Sequence, residues 1–187
     1  MMTQHKLHLV GNRIGLIIVS FILIFAFADQ LFRHDIPCPL CLLQRIAFVG
    51  IGLCCCMNLK CGIKPSHYGL MLLSAVLGFA ISLRQLFLHM APGDPGYGPL
   101  LFNLHLYTWS AVGFFIILGL IAIAMLLEHG FSDTLIPLGK PTLLLMGGFL
   151  ILILANGIST FIECGVLICP DNPEHYNLLM SSPDSKN

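Results

Sequence analysis

Charge is what this sequence has least of. Only 10% of its 187 residues are Asp, Glu, Lys or Arg, nine of each sign, and the formal net charge is zero. A soluble domain carries about 25% charged residues, so a water-soluble globular chain is excluded. The balance of signs excludes a basic nucleic-acid surface as the main theme. No internal repeat or low-complexity tract is present, which sets aside solenoids and tandem arrays. The first apolar run lacks a small-residue cleavage site and is followed by others, so it reads as an uncleaved first helix and not a signal peptide.

What is abundant is apolar. Hydrophobic residues make up 57% of the chain and the mean hydropathy is +0.89. The apolar runs fall at 14–32, 42–59, 68–90, 110–127 and 142–162, each long enough as a helix for a hydrocarbon core of about 30 Å. Residues 1–13 read as a short polar arm. Residues 91–109 open Ala-Pro-Gly-Asp-Pro-Gly and continue as an apolar, aromatic stretch ending at Trp109. That stretch is too short to span and is expected in the membrane interface. The fold expected is an all-α integral membrane protein: a four-helix transmembrane bundle plus a fifth C-terminal transmembrane helix, with a short interfacial segment between helices 3 and 4. Residues 1–128 form the four-helix part. Residues 129–187 hold a link, the fifth helix and a tail. Gly147, Gly148 and Gly157 are candidates for close helix contact.

Basic residues set the orientation. Lys6, Arg13, Lys60, Lys64 and Lys140 share one side, against Arg33 and the distant Lys186 on the other. The first side is expected to be cytoplasmic. The N-terminus is then cytoplasmic, and Cys38, Cys41, the 91–109 loop and the C-terminal tail face outward.

That topology sorts the eight cysteines. Cys38, Cys41, Cys164 and Cys169 lie on the face where disulfides persist in bacteria. Cys54, Cys55 and Cys56 lie within the second span and Cys61 on the reducing side, where cysteines behave as small hydrophobes. Three consecutive residues point around a helix and cannot converge on one metal ion. No metal site is expected among the eight scattered histidines either.

The chemistry concentrates in Pro37-Cys38-Pro39-Leu40-Cys41-Leu42-Leu43-Gln44-Arg45. Two cysteines three positions apart are separated by about 4.5 Å of helical rise, within disulfide reach. A helix N-terminus offers unpaired N–H groups and partial positive charge, which stabilise a thiolate. Pro39 keeps Cys38 out of regular helix. A disulfide closing so small a loop restrains the unfolded chain little, so a redox role fits better than a static one. Arg45 either snorkels to the headgroups or holds an electron-rich, oxygen-bearing ligand beside the cysteines. His34 is a neighbour able to stabilise a thiolate, and His89 is either an interfacial anchor or a ligand. Cys164 and Cys169 are five apart, about 7.5 Å along a straight helix, so pairing requires a break near Gly165. Such a pair is a structural clamp or a second redox centre.

These pieces resemble the DsbB family of bacterial inner-membrane quinone reductases, which oxidise a periplasmic thioredoxin-fold dithiol. The resemblance rests on residues 37–45, on Arg84-Gln85-Leu86-Phe87-Leu88-His89, on Pro95-Gly96-Tyr97-Gly98-Pro99 and on Tyr107-Thr108-Trp109-Ser110. It covers roughly residues 10–128. It implies that Cys41 faces ubiquinone or menaquinone, that Cys38 exchanges with a second cysteine pair, and that Arg45 binds a quinone oxygen. His89 matches a family histidine near the quinone, and a DsbA-like periplasmic protein is the implied partner. The chain departs from the family in its loop between the third and fourth spans, which holds no cysteine. Tyr97 stands where the first loop cysteine is expected. Cys164 and Cys169, brought to the same face by the fifth helix, are the candidates for the missing pair. The competing readings are a quinone or vitamin-K-epoxide-type reductase working in the opposite sense, and a non-catalytic membrane scaffold or metal-handling protein with structural disulfides.

Overall fold

A computed structural model of the chain describes residues 2–33, 36–94, 96–98, 100–127, 131–132 and 137–165. Five helices carry it: α1 (Met2–Arg33), α2 (Pro39–Cys61), α3 (Pro65–Leu88), α4 (Leu106–Leu126) and α5 (Lys140–Cys164). All five are long and apolar enough to cross a membrane. Two short strands, β1 (Leu100–Leu101) and β2 (Leu104–His105), pair antiparallel just before α4.

Proline opens three of these helices. Pro39, Pro65 and Pro141 sit in the first turns of α2, α3 and α5, where no intrahelical N–H bond is lost and φ is already helical. Apolar residues cover the helices all round, so the surfaces left outside the bundle remain apolar. Phe21, Phe115 and Ile151 are each two-thirds exposed, as suits side chains facing lipid. Inside, α2 packs on α1 and α3, α3 on α4, and α5 on α1 and α2.

Rings lock this packing. Phe48 of α2 stacks on Phe114 of α4 with centroids 4.1 Å apart. Phe114 in turn occupies the space a side chain at Gly78 would need, and Phe149 of α5 does the same at Gly52. These two glycines, with Gly50 against Ser74 of α3, make close approaches between helices. Gly147, Gly148 and Gly157, the expected contact points, have no atom near where a side chain would stand. Glycine in α5 is dispensable for packing because Phe149 supplies the contact.

The expected polar arm at residues 1–13 is helix from Met2. Lys6 and Arg13 are exposed, but two of its polar residues are turned inward. His8 and Asn12 are both buried, and they bond to the Tyr68 hydroxyl of α3, each at 2.8 Å. Such partners remove the cost of burying polar groups. Cys54, Cys55 and Cys56 are buried free thiols in the core, and Cys61 is exposed.

Between α3 and α4 the chain forms a β-hairpin whose turn residues, Phe102 and Asn103, both have positive φ. The Trp109 indole N–H donates to the Leu101 carbonyl at 2.9 Å and ties the hairpin to α4. The Tyr97 hydroxyl donates to the Ile36 carbonyl at 2.5 Å. That bond brings the α3–α4 loop onto the connector directly ahead of Cys38.

Candidate functional site

The site forms where α2 begins. Cys38 is extended (φ −68°, ψ 159°) and stands just ahead of the helix, with Pro39 in its first turn. The Cys41 N–H donates to Cys38 Sγ at 3.3 Å and the Leu42 N–H to the Cys38 carbonyl at 3.1 Å. Cys38 therefore caps the helix. The two sulfurs lie 2.8 Å apart and both residues are free thiols. The hydrogen bond with Cys41, reinforced by burial, holds the Cys38 thiol well above its ordinary value.

A residue that sequence reasoning did not single out completes the dithiol. Gln85 of α3 is buried, and its Nε2 lies 3.3 Å from Cys38 Sγ and 3.4 Å from Cys41 Sγ. Its Oε1 accepts from Gln44 Nε2 at 2.8 Å. An amide donor shared by two sulfurs favours whichever carries negative charge. The signal lay within the 84–89 stretch, but the charged Arg84 and the histidine drew attention first. Arg84 itself is exposed.

Arg45 follows Cys41 by one helical turn and does not snorkel. Its Nη1 donates to Gln30 Oε1 of α1 at 2.8 Å and to Asn156 Oδ1 of α5 at 3.5 Å, and its Nη2 donates to the Ala26 carbonyl at 2.9 Å. Gln30 also donates to Ser159 of α5 at 3.0 Å. A half-buried guanidinium at membrane depth is tolerable only with such partners.

Cys41 and Arg45 line one cleft of about 100 Å³ between α1, α2 and the start of α4. Ala26, Gln30, Phe48, Tyr97 and Tyr107 share its walls, and Cys38 does not reach it. Tyr107 is held between two imidazoles, His105 at 5.1 Å and His89 at 5.6 Å between ring centroids. His89 is thus one ring removed from the cleft. Its Nδ1 is 3.1 Å from Asp94 Oδ1. The Gly96 N–H and His89 together hold the Asp94 carboxyl below the usual carboxylate range. Gly96 has φ +71° and the His105 ring packs where a side chain would project, so only glycine fits this turn.

Cys164, in the last turn of α5, is buried and disulfide-bonded. Its expected partner Cys169 lies outside the described residues, as does His34. Gly165 ends α5 with φ +66°, the break that pairing across five residues requires. Among the described residues no three His, Cys, Asp or Glu side chains gather as a metal site would need.

Fold and site together define a class: a multi-pass helical membrane protein carrying a dithiol at the N-terminus of a spanning helix. Residues 12–98 match the family model described as Disulfide bond formation protein DsbB, and over these residues the chain is similar to that family. Three curated relatives, each named Disulfide bond formation protein B, are similar to it. That of Chromobacterium violaceum is 37% identical over 101 residues, covering 48% of this chain and 60% of the relative. That of Marinobacter nauticus is 39% identical over 83 residues, covering 41% and 49%. That of Cupriavidus metallidurans is 36% identical over 77 residues, covering 40% and 48%. The chain thus spans about half the length of the curated relatives it matches. No solved structure matches it. The family model stops before α4 and α5.

Proposed function

We propose that this chain is a quinone-dependent protein-disulfide oxidoreductase of the bacterial inner membrane, N-terminus inside and C-terminus in the periplasm. It takes two electrons from a DsbA-like thioredoxin-fold dithiol and delivers them to a membrane quinone, ubiquinone or menaquinone. In this reading α1–α4 are the redox core, α5 is an addition, and the apolar β1–β2 hairpin lies in the interface. The observation that carries the reading is the cleft, which admits Cys41 and Arg45 but not Cys38.

The residues suit a quinone. Aromatic and aliphatic walls from Phe48, Tyr107 and Ala26 match a flat apolar ring, and Arg45 supplies a fixed cation beside it. The quinone, when bound, supplies the oxidising potential. The chain's own residues do the rest. Cys41 presents its sulfur to the cleft, and Arg45, held by Gln30, Ala26 and Asn156, fixes positive charge one turn below. Gln85 steadies the sulfurs. Cys38, outside the cleft, is left to exchange with the second pair, Cys164 and Cys169. His89 acts through Tyr107, which it stacks against. Exchange proceeds through a mixed disulfide, so electrons run from partner to Cys164–Cys169, then to Cys38–Cys41, then to quinone.

The test is quinone reduction by the purified protein, driven by a reduced thioredoxin-fold protein or by a small dithiol. Wild type should use both. Cys164→Ser/Cys169→Ser should lose the protein donor and keep the small dithiol. Retained oxidation of the protein donor would sink the relay and leave Cys164 a clamp.

A further inference from the structure

Glu163 is 1% exposed, and neither of its carboxylate oxygens has a hydrogen-bond partner among the described residues. An unbonded buried carboxylate is costly and persists only if it changes protonation state or has work to do. Its place is specific. It sits in the last turn of α5, on the face that already meets the site. Ser159, one turn earlier, accepts from Gln30, and Asn156, two turns earlier, accepts from Arg45. Arg45 and Cys41 of α2 are its charged and titratable neighbours within electrostatic reach. Asp29 of α1 lines the adjoining cleft. On α5 itself Asn156, Ser159 and Thr160 do not titrate, and Cys164 is disulfide-bonded.

We propose that Glu163 is the proton carrier for opening and closing the Cys38–Cys41 disulfide. The proposal rests on the reading of that pair as redox-active, but not on the quinone. When an incoming dithiol reduces the pair, the Cys38–Cys41 S–S bond breaks and one S–S bond forms in the dithiol. Two S–H bonds are lost there and two are gained at Cys38 and Cys41. Attack at Cys38 makes Cys41 the leaving sulfur. Glu163 gives its proton to that sulfur and recovers one from the incoming dithiol. The second proton reaches Cys38 from the open end of the site. Closing the disulfide runs the same transfers backward.

The experiment measures exchange between oxidised full-length protein and dithiothreitol across pH, for wild type, Glu163→Gln and Glu163→Asp. Redox-difference infrared spectra of the same proteins give a readout independent of activity. General acid–base help is worth roughly 10²-fold, so Glu163→Gln should slow exchange by about that factor and lose one limb of the pH profile. Glu163→Asp should recover part of the rate and all of the profile's shape. Reduction of wild type should change a carboxyl carbonyl band that is absent in Glu163→Gln. A wild-type rate and profile in Glu163→Gln would overturn the proposal. So would the lack of any redox-linked carboxyl band in wild type, a result that stands even if the variants fail to fold. Wild type that exchanges with dithiothreitol yet never reduces quinone would refute the proposed function and leave Glu163 standing.

Discussion

The two ends of the bundle each bury a polar cluster, and they differ in one respect. At the end holding the start of α1, every donor in the cluster has found an acceptor. Asn12 donates to the Tyr68 hydroxyl and to the His8 carbonyl, both at 2.8 Å. Since Tyr68 accepts from Asn12, its own proton points to His8 Nδ1, and His8 Nε2 then donates to the Leu127 carbonyl at 3.1 Å. Asn58 donates to Asn12 at 2.9 Å and accepts from His67 Nδ1 at 3.0 Å and from the Lys64 N–H at 3.3 Å. Four helices are pinned by one closed network. At the other end, two free thiols face each other and both oxygens of a buried carboxylate are without a bond among the described residues, against the single side-chain oxygen of Gln4 near the start of α1. Satisfied polarity fixes helices in register, while unsatisfied polarity is where protons and electrons can move.

That contrast predicts opposite responses to mutation. The largest effect on stability should come from Asn58→Ala. It removes a hydrogen-bond partner from Asn12, His67 and the Lys64 N–H, and losing the partner of a buried polar group costs about 1–3 kcal/mol. Thermal melts should drop clearly, while activity per folded molecule stays unchanged. A loss of activity without a loss of stability would erase the distinction between the ends. Gln85→Leu should act the other way. Removing the amide that touches both sulfurs should slow alkylation of the Cys38–Cys41 pair at neutral pH by up to about tenfold, the effect of one unit in thiol ionisation. If alkylation is unaffected, Gln85 serves only to bind Gln44.

The smallest effect belongs to Asp94. Its carboxyl is held below the usual range by the Gly96 N–H and His89, so its contribution to the α3–α4 loop is present above the unfolded value. That contribution is lost as pH falls through the lower folded one, a window below about pH 4. Asp94→Asn should flatten any acid-induced loosening of this loop in hydrogen exchange without altering the neutral-pH pattern. A neutral-pH change would show that the Asp94 charge does more than hold a turn.

Much of this architecture is written in the chain's periodicity and composition. Four of the five spans emerged with ends shifted by only a few residues, because long apolar runs have no alternative in a bilayer, whereas the first begins at Met2 and not near Ile14. The dithiol was readable because Pro39 and the three-residue spacing are local signals. The beginning of α1 was not, since His8 and Asn12 look solvated until Tyr68 is folded against them. Gln85, Gln30 and Asn156 were missed for the same reason. Each is an ordinary polar residue whose meaning depends on a partner 15 to 111 positions away. Glu163 was hidden by its neighbour Cys164, which carried the stronger motif.

The central claim is that Cys41 hands electrons to a quinone in the cleft it shares with Arg45. The direct measurement is the absorbance of quinone during single-turnover reaction with the prereduced protein, wild type against Cys41→Ser. The account predicts quinol formation stoichiometric with the Cys38–Cys41 dithiol in wild type and none in the variant. Quinone left unreduced by wild type, or reduced equally by Cys41→Ser, would contradict it.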